Sequence, residues 1–175
     1  AKYVREAASD RGGVASAGMS MGGKARKEGV CCTSVGSDKS TTIPVHRGID
    51  VAVDTDFGII HLGGHFDLCD EMHGDKLAHG STERRGVELS HVRDSDHLCF
   101  VGIRSIESDE LEYFRTHHIQ AVSAADTDHM GLAAALEKTV SLLGRFDKLS
   151  IPLDTDRLYP PFAPAPGPPH FRRLA

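Results

Sequence analysis

The sequence predicts an α/β fold, a three-layer α/β/α sandwich with a mostly parallel sheet. Short apolar segments bounded by turn residues alternate with longer segments that have helical spacing. Strands that alternate with helices are typical of a parallel sheet that is covered on both faces. The length of 175 residues predicts a single domain over residues 1–175, long enough to bury a core of ordinary size.

Apolar segments set the order of the predicted strands. Each is short, and turn-forming or polar residues bound it on both sides, as expected for a strand in the interior of a sheet. The predicted strands are Val30–Val35, Phe57–Leu62, Leu98–Ile103, Gln120–Ala124 and Lys148–Leu153.

Two helices are the clearest of those between the strands. One is predicted to begin near Ser108, because Ser105 or Ser108 can cap it and acidic residues follow in its first turn. The other is predicted over Met130–Leu143, where apolar residues recur at helical spacing. The predicted stripe consists of Leu132, Leu136, Val140 and Leu143.

Composition argues against several classes of partner. The net charge is −5, and the 20 basic residues are dispersed among 25 acidic ones, so nucleic acid is not an expected partner. No apolar run approaches the ~20 residues that span a bilayer, so no membrane partner is expected. The four cysteines show neither a C-x-x-C zinc pattern nor a secreted disulfide framework, which favours a cytoplasmic location.

Polar loops follow three of the predicted strands, at residues 36–40, 63–67 and 154–159. In parallel sheets, ligands bind outside the carboxyl ends of the strands, so these loops are expected to form a site. Asp154 and Asp156 form a D-x-D pair, and His65 and Asp67 form an H-x-D pair. Such donors suit a divalent cation, whereas the alternative at Asp154 and Asp156 is a solvated turn.

Four segments in consistent order resemble the arginase and agmatinase family of ureohydrolases. They are Val35–Val45, His61–Asp67, Val101–Ser105 and Asp154–Pro164. The resemblance implies two manganese ions holding a hydroxide that attacks a guanidinium carbon. It implies ligand positions at Lys39, Gly63, His65, Asp67, Asp154 and Asp156. It also implies that His79 shuttles protons, the alternative being a surface-loop histidine, whereas His61 is expected to be buried near the site.

Two of the six implied ligand positions are substituted. Lys39 stands where the family has histidine, and an ammonium group has no lone pair to donate and repels a cation. Gly63 stands where the family has a bridging aspartate, which offsets the repulsion between neighbouring ions. We therefore expect one weakly bound Mn2+ at most, held by His65, Asp154 and Asp156. The chain is also expected to be incomplete at both ends relative to the family.

Three functions are compatible with these observations. The first is a manganese-dependent amidinohydrolase of agmatinase or arginase type, which hydrolyses a guanidino compound, agmatine or arginine, to an amine and urea. The second is a catalytically inactive relative or fragment that serves as a subunit of a homo-oligomer or as a binding module, which Lys39 and Gly63 favour. The third is a single-metal hydrolase of another substrate that uses His65, Asp154 and Asp156.

Overall fold

The computed structural model describes residues 2–7, 30–36, 38–93 and 95–154. These residues form two compact units. The first unit contains the described residues up to 57 together with 67–93, and the second contains 58–66 and 95–154. The single domain over 1–175 stays a prediction, since it includes residues outside these ranges. In the described part of the chain, no helix is long and apolar enough to cross a membrane.

Strands and helices alternate along most of the described chain. In order, they are β1 (Lys2–Ala7), β2 (Val30–Val35), α1 (Thr42–Ala52), β3 (Gly58–Leu62), α2 (Thr82–Gly86), β4 (Leu98–Val101), α3 (Ser108–Thr116), β5 (Gln120–Val122), α4 (Ala124–Met130), α5 (Leu132–Leu143) and β6 (Leu149–Ser150). Short 3-10 helices precede α1, α2 and β4, at Lys39–Thr41, His79–Ser81 and Ser95–His97.

The first unit contains a parallel pair of strands, β1 and β2, and two helices. The 3-10 helix after β2 begins where Asp38 Oδ1 accepts a hydrogen bond of 2.6 Å from the Ser40 backbone N–H, an N-terminal cap for the turn. Helix α1 follows it directly and contacts α2. The apolar core of this unit consists of buried side chains, Ile43, Val53, Phe57, Leu68 and Val92.

The second unit is built on a sheet of four parallel strands in the order β5-β4-β3-β6. Its two central strands, β3 and β4, are buried along nearly their whole length. Ile60, Cys99 and Val101 form a cluster with Leu143 of α5. Burying one side chain of this size stabilises a fold by about 1.5–3 kcal/mol, so these contacts hold the helix on the sheet.

The predicted fold class is confirmed. The named strands of the described residues pair in parallel, and helices lie between consecutive strands from β2 to β6. Each of the predicted strands is present, and the ends differ by a few residues. Strand β1 was not predicted, because its sequence has neither a continuous apolar run nor a strict alternation of apolar and polar residues, and its partner β2 lies more than twenty residues further along the chain.

The helix predicted over Met130–Leu143 is present as α5, which begins two residues later, at Leu132. The preceding helix α4, which was not predicted, ends at Met130 because Gly131 takes a φ of +84°, a conformation that ends a helix and that glycine adopts readily. The predicted apolar stripe on α5 does not face the core, apart from Leu143. The face that packs inward carries Ala135, Thr139 and Leu143, and Leu132, Leu136 and Val140 are exposed.

The last predicted strand is interrupted at Pro152. The carbonyl of Pro152 accepts a hydrogen bond of 2.9 Å from Leu62, but proline has no N–H to continue the ladder. Regular pairing is therefore limited to Leu149–Ser150, and an isolated bridge joins Leu153 to Leu62. In the described sheet, β6 lies at an edge, where proline is tolerated.

Asp50 connects α1 to the loop after α2. Its Oδ2 accepts hydrogen bonds from Ser90 Oγ at 2.6 Å and Ser90 N at 3.2 Å, and its Oδ1 accepts one from His91 N at 2.8 Å. Burial acts to raise the pKa of Asp50, but the hydrogen bonds from Ser90 and His91 together hold this pKa below its ordinary value. The ionised form is therefore the one that the folded state stabilises.

We predict that Asp50→Asn removes a pH-dependent part of the stability. A carboxyl whose pKa is lowered by folding stabilises the protein above its unfolded pKa of about 3.9, and this contribution is lost as the pH falls through the folded pKa. Urea unfolding from pH 7 to pH 2 should show a loss of about 1–3 kcal/mol at neutral pH, which shrinks in acid. Asp56→Asn, which removes an ion pair to the exposed Arg93, is the control. A loss independent of pH would contradict the prediction.

Candidate functional site

In the first unit, a buried ion pair joins two of the implied ligand positions. Lys39 begins the 3-10 helix after β2, and its Nζ lies 3.2 Å from Oδ2 of Asp67. The two side chains are only 9% and 11% exposed. Thr82 Oγ1 also donates to the same Asp67 oxygen, at 3.5 Å. The carboxylate predicted to bind a metal is therefore neutralised by an ammonium group.

Asp67 is also held through its backbone. Its carbonyl accepts hydrogen bonds from the N–H groups of Glu83 at 3.0 Å and Arg84 at 3.2 Å, both in the first turn of α2, where helix N–H groups lack intrahelical partners. Asp67 has a φ of +54°, a left-handed conformation that is uncommon for a residue with a side chain. Such strain costs about 1–3 kcal/mol and is found mainly at functional sites.

His79 belongs to the same unit as the ion pair. It begins the 3-10 helix that leads into α2, and this turn contacts the 3-10 helix of Lys39. His79 itself is exposed, whereas Ser81, Thr82 and Glu83 after it are fully buried. The role of His79 as a proton shuttle stays a prediction.

In the second unit, two of the predicted loops leave the sheet at neighbouring positions. The Asp154 N–H donates to the Leu62 carbonyl at 2.8 Å, so Asp154 lies beside the carboxyl end of β3. The loop from Gly63 to His65 follows Leu62 directly, and His65 is half-buried. This is the placement that the carboxyl ends of adjacent parallel strands impose.

Gly63 lies against a neighbouring imidazole ring. A Cβ atom added at Gly63 would come within 2.2 Å of Nε2 of His61. His61 is completely buried, as predicted, and its ring lies 5.0 Å from that of Phe100, measured between centroids. The sequence already contained a signal for this contact, because residues two apart in an extended chain point to the same side.

A family model for the arginase family matches residues 16–172. The chain belongs to the arginase family. A guanidinobutyrase from Pseudomonas aeruginosa is 28% identical over 148 residues, which cover 83% of this chain and 46% of that protein. Human arginase-1 is 26% identical over 161 residues, covering 82% of this chain and 50% of that protein. The chain thus spans about half the length of these curated relatives.

Solved structures of arginase-family members have the same fold. An arginase from Bacillus subtilis superposes with a TM-score of 0.75 at 23% identity, over 91% of this chain and 60% of that one. A formimidoylglutamase from the same species gives a TM-score of 0.76 at 18% identity, over 88% of this chain and 47% of that one. The predicted arginase-like α/β fold is confirmed by these similarities.

The implied metal ligands are divided between the units. Lys39 and Asp67 belong to the first, Gly63, His65 and Asp154 belong to the second, and Asp156 lies outside the described residues. Their convergence stays a prediction. Across 2–7, 30–36, 38–93 and 95–154, no three His, Cys, Asp or Glu side chains are grouped so that they could hold a metal ion.

The donors that are present do not fit the two-manganese centre that the arginase-family resemblance implies. The Asp67 carboxylate is already paired with the ammonium group of Lys39. Gly63 offers no donor, and the His61 ring fills the space beside it. His65 and Asp154 keep the donor types that manganese accepts, so the misfit is confined to two of the implied positions.

We predict that Lys39→Met strongly destabilises the protein. The substitution would leave the Asp67 carboxylate buried without its cation, and such changes cost about 3 kcal/mol or more. Lys76→Met is a matched control, because Lys76 Nζ also lies 3.2 Å from a carboxylate, that of Asp70, but both side chains are more than half exposed. Urea unfolding at neutral pH should show a much smaller loss for the control. Equal losses for the two variants would show that the Lys39 pair is not a buried one in solution.

Proposed function

We propose that this arginase-family member does not carry out manganese-dependent hydrolysis, and that it uses the family fold as an oligomer subunit or a binding module. The observation that carries the proposal is the buried ion pair of Lys39 and Asp67, 3.2 Å apart. A metal ion bound to the Asp67 carboxylate would lie beside this ammonium group, which repels it unless Lys39 moves away.

Coulomb's law gives the scale of this competition. A divalent ion about 4 Å from a unit positive charge is repelled by roughly 8 kcal/mol at an effective dielectric constant of 20. The carboxylate lost at Gly63 would have offset part of that repulsion. To bind manganese at Asp67, the protein would therefore have to move Lys39 away from a buried partner.

An interaction role is supported by the surface of the second unit. Leu132, Leu136 and Val140 recur at every fourth position of α5, and they are 61%, 49% and 63% exposed. Contiguous apolar groups on a protein surface are typical of interaction sites. This exposed apolar face supports the proposed role as a subunit or binding module.

The second candidate is a manganese-dependent amidinohydrolase that acts on agmatine or arginine and releases urea. The placement of Asp154 beside the end of β3 favours it, because His65 follows that strand end in the chain. The exposed His79 favours it too, because it stands where the family resemblance implies a proton shuttle. Similar proteins include a guanidinobutyrase and an arginase. In this alternative, at most one Mn2+ would be bound, weakly, by His65, Asp154 and Asp156.

For either function we propose a cytoplasmic location, on the basis of composition.

An assay of urea release combined with manganese titration separates the two candidates. We predict that the purified protein, given excess manganese, releases no urea from agmatine or arginine above a no-protein blank, while an arginase assayed in parallel does. Calorimetry should show at most one weakly bound ion per chain. Urea release by the wild-type protein, or two tightly bound manganese ions, would contradict the proposal.

A substitution at the ion pair tests the reason for inactivity. We predict that Lys39→His raises manganese affinity by about tenfold or more, because a neutral imidazole removes the repulsion and adds a lone pair. Lys76→His, at the exposed pair with Asp70, should leave the affinity unchanged. If both variants bind manganese as weakly as the wild type, Lys39 is not what keeps the metal out.

A further inference from the structure

We propose that the outer edge of β6 binds the same edge of a second copy of this chain, as two antiparallel strands related by a two-fold axis. The outer edge consists of the main-chain groups of Leu149, Ile151 and Leu153, on the side of the strand away from β3. The inference rests on the proposed role as an oligomer subunit, and it names the partner and the surface. It concerns the second unit alone.

The hydrogen bonds of this strand show which main-chain groups face outwards. The Gly58 N–H donates to the Lys148 carbonyl at 3.1 Å, and the Leu62 N–H donates to the Pro152 carbonyl at 2.9 Å. The Asp154 N–H donates to the Leu62 carbonyl at 2.8 Å. Even-numbered residues of the strand thus direct their main-chain groups at β3, and the odd-numbered residues between them direct theirs away. In the described part of the chain, no strand pairs with that outer edge.

Pro152 does not block the outer edge. Proline on an edge strand commonly prevents pairing with another chain, because it has no N–H to donate. Here the carbonyl of Pro152 faces β3, so the missing N–H is on that side as well. Leu149, Ile151 and Leu153 each carry both an N–H and a carbonyl, as a further strand requires.

The side chains at this edge are apolar and exposed. Leu149, Ile151 and Leu153 are 43%, 54% and 64% exposed. They lie on the face of the sheet that carries α5, because Leu149 pairs with Gly58, and a Cβ added at Gly58 would meet Leu149 and Phe146. Phe146 packs against the apolar cluster that includes Leu143 of α5. An exposed apolar edge strand is a template for pairing with another chain.

A second copy fits because the strand is complementary to itself in one antiparallel register. With Ile151 on the two-fold axis, opposite Ile151 of the second copy, Leu149 lies opposite Leu153 and Lys148 lies opposite Asp154. The three outer residues of each copy then exchange both main-chain hydrogen bonds with the residues opposite them. The two-fold axis repeats the Lys148–Asp154 pair at the other end of the strands, so opposite charges meet at both ends.

The pair of strands is short, so we expect a weak and reversible dimer. Few residues of each chain take part, whereas a standard interface involves about 20–30 residues on each side. Helix α5 packs on β3 and β4, so its exposed face lies outside the strand pair. The dimer should therefore form at micromolar protein concentrations and dissociate on dilution.

Sedimentation velocity of the full chain without added metal tests the interface. The wild type should shift from monomer to dimer over about a hundredfold range of protein concentration. Ile151→Lys should weaken the dimer by about tenfold or more, because it places two ammonium groups side by side at the two-fold axis. Leu136→Lys is the matched control: its side chain is 49% exposed, against 54% for Ile151, but lies on α5. It should leave dimerisation unchanged, and circular dichroism checks that each variant is folded.

A pair of charge reversals tests the register. Lys148→Glu and Asp154→Lys each place like charges opposite one another at both ends of the strand pair, so each variant alone should dimerise about tenfold more weakly than the wild type. An equimolar mixture of the two variants should dimerise as the wild type does, because each chain then meets the opposite charge on the other. A structural effect within one chain would not be rescued by mixing.

Each outcome decides the inference. A wild type that stays monomeric throughout, a dimer that Leu136→Lys weakens and Ile151→Lys does not, or a mixture without recovery would overturn it. If Ile151→Lys fails to fold, the mixture of the charge variants decides. A dimer held through α5 would overturn this interface while the proposed subunit role stands, whereas urea release by the wild type would overturn the proposed function and leave the strand pair in place.

Discussion

Asp67 contacts two parts of the first unit through two different groups, its carboxylate and its backbone carbonyl. Its carboxylate contacts Lys39 in the turn after β2, and its backbone carbonyl accepts hydrogen bonds from Glu83 and Arg84 at the start of α2. Both sets of contacts fix a residue with a positive φ, a conformation that needs support from its surroundings. The cation beside this carboxylate is a lysine side chain, and the functional account depends on that fact.

The apolar core of the second unit contains none of the implied ligands. In the second unit, the core consists of Ile60, Cys99, Val101 and Leu143, none of which is a ligand position. Burial of apolar area is the main source of fold stability, so the residues at positions 39 and 63 could change while the sheet was kept. The family fold is retained although two implied ligand positions differ.

Most of the sheet was predictable because buried parallel strands appear in a sequence as continuous apolar runs. The inward face of α5 was not, since this helix carries apolar residues on more than one side, and the small Ala135 is buried whereas Leu136 is exposed. The sequence identified Lys39 and Gly63 as departures from the family pattern. It could not give the partner of Lys39, because that contact depends on side-chain conformation.

The central claim is that an ammonium group takes the place of a metal ion at Asp67. A crystal structure of the protein grown with excess manganese, measured with anomalous scattering at the manganese edge, tests it most directly. The account predicts Lys39 Nζ in contact with the Asp67 carboxylate and no anomalous peak within metal–oxygen bonding distance of it, roughly 2.0–2.6 Å. An anomalous peak at that distance, with Lys39 displaced from Asp67, would contradict it.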